Sequence, residues 1–96
     1  MKVIGRDLLD GFCSRHADAR SWIEAWLLEV SGMSWATPRD IKDRYVTASI
    51  LQGNRVVFNV RGNNYRLEVH VAYRNGVVTV QWIGTHREYD ERNRRR

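Results

Sequence analysis

Between residues 59 and 89 the sequence collects side chains able to move protons and hold a phosphate. Asn59, Arg61, Asn63 or Asn64, Arg66, Glu68 and His70 fall on the polar face of an alternating segment or at its turn. His86 and Tyr89 follow just past the last alternating run. Guanidinium groups, amides, imidazoles and a phenol suit phosphodiester chemistry on RNA. RNA brings its own nucleophile, the 2′-hydroxyl. A protein then needs a base for that hydroxyl and an acid for the leaving 5′ oxygen. It also needs fixed positive charge against the developing phosphorane. No metal is required. The sequence has no HExxH, no CxxC and no phosphate-cradling glycine loop. His70 and His86 are not at metal-ligand spacing, so neither a metal nor a small-molecule cofactor is expected. The residues by themselves leave RNA cleavage, RNA binding and protein binding open.

The charge distribution agrees with a polyanionic partner. The 96 residues carry a net charge of +5. Residues 1–48 hold seven Lys/Arg against seven acids, and residues 49–96 hold nine against four. Arginine outnumbers lysine fourteen to two; its planar fork matches phosphate and stacks on rings. Solubility alone is the competing explanation. At 43% hydrophobic the chain reads as one soluble globular domain over 1–96, with 92–96 a frayed basic tail. No run reaches the ~18 apolar residues of a membrane span. Asp7 follows Val3 and Ile4 too soon for a signal peptide. Cys13 is alone, which points to the reducing cytosol.

The elements that must carry these residues follow from periodicity. Lys2–Ile4 reads as a short strand, and Leu8, Leu9 and Phe12 as a first helix ending near Arg15-His16. Trp22, Ile23, Trp26, Leu27 and Val30 form an apolar stripe on a second helix. Ser21 and Glu24 have capping-box spacing there, with Asp18 as a rival cap. Thr37 and Pro38 open a third helix, and residues 46–54 read as loop. The period then becomes two. Val56, Phe58 and Val60 face one way, as do Tyr65, Leu67, Val69, Val71 and Tyr73, and then Val78, Val80 and Trp82. Arg61–Asn64 and Asn75-Gly76 are the turns. Thr85 and Glu88 again have capping-box spacing, so a short helical turn is expected. The expected architecture is two-layer α+β, with N-terminal helices packed on an antiparallel sheet.

Two segments carry a family resemblance. Residues 54–67, Asn-Arg-Val-Val-Phe-Asn-Val-Arg-Gly-Asn-Asn-Tyr-Arg-Leu, resemble the sheet signature of the HigB toxins of type II toxin–antitoxin systems, within the RelE-like superfamily. Residues 84–90, Gly-Thr-His-Arg-Glu-Tyr-Asp, resemble their C-terminal signature. Trp35, Thr37-Pro38, Ile41-Lys42, Tyr45 and Ala48-Ser49 also fall as in that family. The resemblance implies the compact RelE-like fold and a cytoplasmic, metal-independent endoribonuclease. That enzyme cuts mRNA in the ribosomal A site, arrests translation and is neutralised by a HigA-type helix-turn-helix antitoxin. By the same resemblance Arg66 and Arg61 hold the scissile phosphate, His86 and Tyr89 share the acid and base roles, and Asn63 positions substrate or turn. Asn59 and Arg87 complete the candidate RNA contacts. Two features depart from the pattern. Glu68 stands where a neutral residue is usual, free to orient Arg66, hold His70 charged or repel RNA. The Arg94-Arg95-Arg96 end is additional. A non-catalytic RNA- or ribosome-binding module and a decayed toxin that still binds its antitoxin are the alternatives. The Met33-Ser34-Trp35 loop is an antitoxin contact or a closure of the core.

Overall fold

The computed structural model describes residues 1–94. In chain order they form β1 (Lys2–Ile4), α1 (Arg6–Arg15), a 3-10 turn (Ala17–Ala19), α2 (Arg20–Ser31), α3 (Pro38–Arg44), β2 (Ser49–Leu51), β3 (Arg55–Val60), β4 (Tyr65–Ala72), β5 (Val77–Thr85) and α4 (His86–Arg94). The strands make one sheet in the order β1-β5-β4-β3-β2. The fold is a compact α+β arrangement, as the patterning predicts.

The core lies between the helices and one sheet face. Leu9 and Phe12 of α1, and Ile23, Trp26 and Val30 of α2, are buried with Val56, Phe58, Leu67, Val69 and Val78. Trp26 meets Phe58 edge-on at 5.5 Å, a preferred aromatic geometry. The tryptophan stripe is therefore a packing stripe. Trp35 is buried too and stacks near Phe58, so it closes the core.

Four expectations need correction. The sheet is mixed: β1 runs parallel to β5, pairing Lys2–Ile4 with Val77–Thr79. Such pairing needs a long crossover, and the intervening helices provide it. Residues 46–54 are not all loop, since β2 pairs Ser49–Leu51 with Val57–Arg55; three residues are too few for a visible alternation. Neither Ser21 nor Asp18 caps α2, which continues from the 3-10 turn through Ala19 without a side-chain cap. The C-terminal element is a nine-residue helix in place of a short turn. Arg92–Arg94 complete it, and residues 95 and 96 of the expected tail lie outside the described residues.

One irregularity decides what the outer sheet face carries. A bulge on β5 lets Val80 oppose Val69 while Trp82 opposes Glu68. Gln81 is the extra residue, and an extra residue reverses the alternation that follows it. Trp82 therefore leaves the Val78–Val80 face, where periodicity puts it, and joins the polar face. Three strands now align there in rows: Asn59–Arg66–Gly84, Val57–Glu68–Trp82 and Arg55–His70–Thr79.

Candidate active site at the β3–β4 turn and the α4 N-terminus

The turn Arg61–Asn64 joins β3 to β4. Arg61 and Gly62 both take left-handed φ, 51° and 68°, which a glycine at 62 tolerates at no steric cost. Arg66 folds back over this turn. Its Nη2 donates to Asn63 Oδ1 at 2.7 Å, and its Nη1 to the Tyr65 carbonyl at 3.2 Å. Both acceptors are neutral. The arginines nearby differ: Arg55 and Arg92 approach Glu68, Arg61 pairs with Asp18 and Arg87 with Glu91. Arg66 has no carboxylate within ion-pair distance among the described residues. Its charge is held in place yet left uncompensated.

The helix α4 begins against the same turn. The His86 N–H donates to the Asn64 carbonyl at 3.0 Å. Thr85 Oγ1 accepts from the Glu88 N–H at 3.0 Å, and Glu88 Oε1 from the Thr85 N–H at 2.8 Å. This reciprocal capping box is what the Thr-x-x-Glu spacing predicts. The backbone hydrogen bond to Glu88 holds its carboxyl below the usual range. Half of the C-terminal signature is thus a helix start, and its function is to fix the other half. His86, Tyr89 and Arg92 are the half-buried positions of α4, three residues apart and so on one stripe facing the sheet.

Trp82 is the floor under that stripe. Tyr89 packs against it at 5.9 Å between ring centroids, and the Arg92 guanidinium lies 5.0 Å from its ring centroid. The ring occupies the space above Gly84, where any Cβ would come within 2.6 Å of Trp82 Cη2 and Cζ2. Arg92 also donates to Glu68 Oε1 at 2.9 Å. Glu68 is only 3% exposed, with Arg55 3.8 Å from its other oxygen. Its partners are therefore Arg92 and Arg55, and it anchors α4 without orienting Arg66.

The His86 imidazole is 41% exposed, but its Nδ1 is buried and has no hydrogen-bond partner among the described residues. Asp90 Oδ2 lies 3.4 Å from that nitrogen, at ion-pair distance but outside hydrogen-bond geometry. The exposed part of the ring is thus the remainder, Nε2 included. Arg87 projects into solvent from the first turn of α4, the positive end of the helix dipole. Asn59 is the cross-strand neighbour of Arg66.

Arg61 stands apart from this group. Its Nη1 meets Asp18 Oδ2 at 2.7 Å, and Asp18 Oδ1 accepts from the Tyr65 hydroxyl at 2.5 Å. Tyr65 belongs to the core side, beside Phe12 and His16. The left-handed turn residue sends Arg61 toward the helical layer, although sequence spacing groups it with Arg66. The fold thus brings together Asn59, Asn63, Arg66 and the His86–Tyr89 stripe of α4; Arg87 lies exposed on that helix, and Arg61 is paired with Asp18 instead. Trp82 and Arg92 were missed by sequence reasoning, the first because of the bulge and the second because it was read as tail.

A family model for HigB toxin, the RelE-like toxic component of a toxin–antitoxin system, matches residues 19–92. The chain belongs to the HigB toxin family. Both signature segments of the HigB resemblance fall inside the matched span, and membership implies an antitoxin partner. No curated protein matches the chain. Among the described residues no group of three His, Cys, Asp or Glu could hold a metal ion. No helix among them is long and apolar enough to cross a membrane.

Proposed function

We propose that this toxin is a ribosome-dependent mRNA endoribonuclease of the cytoplasm, neutralised by a HigA-type antitoxin. The observation that carries the reading is the uncompensated charge of Arg66, clamped by Asn63 on the turn whose Asn64 carbonyl receives the His86 N–H. In this mechanism Arg66 grips the scissile phosphate. The 2′-hydroxyl loses its proton to a base, O2′ bonds to phosphorus, and the bond from phosphorus to O5′ breaks as an acid protonates O5′. The products are a 2′,3′-cyclic phosphate and a 5′-hydroxyl end. His86 and Tyr89, one helical turn apart on α4, supply the two proton-transfer roles. Arg66 stabilises the pentavalent charge, and Arg87 and Asn59 contact flanking RNA.

A decayed toxin is disfavoured by Glu68 itself. That departure from the family pattern is neutralised by Arg92, so Glu68 presents no free carboxylate to the RNA. The ribosome enters the reading because positioning lowers a barrier by ~7–11 kcal/mol, which a site without a strong base needs.

Inducing the chain in a bacterium and mapping mRNA 5′ ends tests this, with ribosome-free RNA beside it. New 5′-hydroxyl ends confined to translated frames support it. Arg66→Ala and His86→Ala should each abolish them while the proteins stay folded. Ribosome association without new ends would leave a binding module instead.

A further inference from the structure

A groove opens beside Asn63, at the edge where the sheet meets the helical layer. It holds about 630 Å³ and runs between Asn59 and Asn63 on the sheet and Trp22 and Tyr45 on the helical layer. It exists because β2 pairs β3 only as far as Val57, which leaves the β3 edge at Asn59 uncovered. Past Trp22 and Tyr45 it adjoins a recess of about 210 Å³ that reaches Trp26. Trp26 is 2% exposed, and its Nε1 has no hydrogen-bond partner among the described residues. Arg44 borders both spaces, tied to Glu29 and lying 4.8 Å from the Tyr45 ring centroid. Glu29 is therefore not a free anion.

We infer that this groove is a nucleobase subsite of the RNA site, receiving a base next to the phosphate held by Arg66. The inference rests on the endoribonuclease reading. Its chemistry is that of single-strand RNA recognition, in which unstacked bases lie on aromatic rings and their edges meet side-chain donors and acceptors. Trp22 and Tyr45 offer the rings. The Asn59 and Asn63 amides carry donors and acceptors for a base edge. Burial pushes the Tyr45 hydroxyl up to about 12, so it stays a neutral donor at physiological pH. Asn63 ties the two halves of the site together: it accepts from Arg66 and lines the groove. Asn59 does so from the neighbouring strand. RNA seated on Arg66 would thus lie against the same Asn63 that lines the groove, and the subsite would set codon preference.

The test uses ribosomes programmed with an A-site codon whose sugars are 2′-O-methylated, so that the nucleophile is blocked. Each codon position in turn is made abasic, and toxin affinity is measured for wild type, Trp22→Ala and Trp22→Phe. Base–aromatic stacking predicts a loss of about tenfold for wild type at one position. Trp22→Ala should show no further loss there, and Trp22→Phe should restore the wild-type pattern. Equal losses for wild type and Trp22→Ala at every position would overturn the subsite and leave the nuclease reading standing. A Trp22→Ala effect confined to antitoxin affinity would also overturn it and make the groove an antitoxin seat. Failure of wild type to bind any programmed ribosome would overturn both readings.

Discussion

Asp18 shows how a single residue separates two arginines that look equivalent in sequence. It takes a hydrogen bond from Tyr65 and an ion pair from Arg61. These contacts, the Tyr65 hydroxyl foremost, hold its carboxyl below the usual range and push the Tyr65 hydroxyl up. Asp18 stabilises the fold fully above its unfolded value near ~3.9, and that contribution is lost as pH falls through the lower folded value. Tyr65 contributes below its unfolded value near ~10, and loses that contribution as pH rises through the higher folded value. Asp18→Asn should therefore flatten both limbs of the stability profile, read as urea midpoints from pH 2 to 5 and above pH 9. Under the proposed function, the same geometry predicts unequal roles for the two arginines. Arg66→Ala should cost on the order of 10²–10³ in rate, the scale of losing a preorganised charge. Arg61→Ala should cost less than tenfold in a single-turnover assay on programmed ribosomes. Equal losses would mean that Arg61 leaves Asp18 to join the phosphate.

Helix α4 carries the two residues proposed for proton transfer, and its hold on the sheet is unusual. None of its residues is fully buried. What fixes it is the Thr85–Glu88 box, the His86–Asn64 bond, the Trp82 ring and the Glu68–Arg92 pair. Gly84→Ala should displace the Trp82 ring and cost ~1–3 kcal/mol, the price of overpacking. Loss of near-UV circular dichroism with retained far-UV signal would show it. Thr85→Ala removes the cap and should cost ~1 kcal/mol, with faster amide exchange confined to α4. The cap was legible from its spacing, as were α1, α2, α3 and the three long strands, because each follows a local period. The bulge at Gln81 was not, since nothing in Val-Gln-Trp marks an extra residue until the strands are paired. Arg92 was hidden for a related reason: its partner Glu68 lies 24 positions away, and only the fold joins them. Reading Glu68 as a free carboxylate failed on that same distance. The candidate residues could be named by type and motif, while their roles belong to the proposed function. What sequence could not supply was direction, as the left-handed φ of Arg61 shows.

At the scale of the molecule, part of the basic second half is tied up in internal pairs. Arg55 and Arg92 converge on one buried carboxylate, Arg61 neutralises Asp18, and Arg87 has Glu91 at 3.6 Å. A net charge of +5 would suggest broad, delocalised attraction to RNA. The pairing pattern instead sets Arg66 apart as a clamped charge with no acidic partner among the described residues, while Arg87 keeps an available charge because its side chain is 88% exposed and its pair is weak in water. Two phosphates neutralised on single-stranded RNA give a slope of log K against log salt of ~−1.4, from ~−0.7 per phosphate. Filter binding of a 2′-O-methylated oligonucleotide across a salt series measures that slope. Arg66→Ala should bring it to ~−0.7, while Arg61→Ala leaves it unchanged, because an internally paired guanidinium releases no counterions. A much steeper wild-type slope that survives Arg66→Ala would mean that the whole basic half binds diffusely. The clamped charge at the β3–β4 turn would then not be what recruits the RNA.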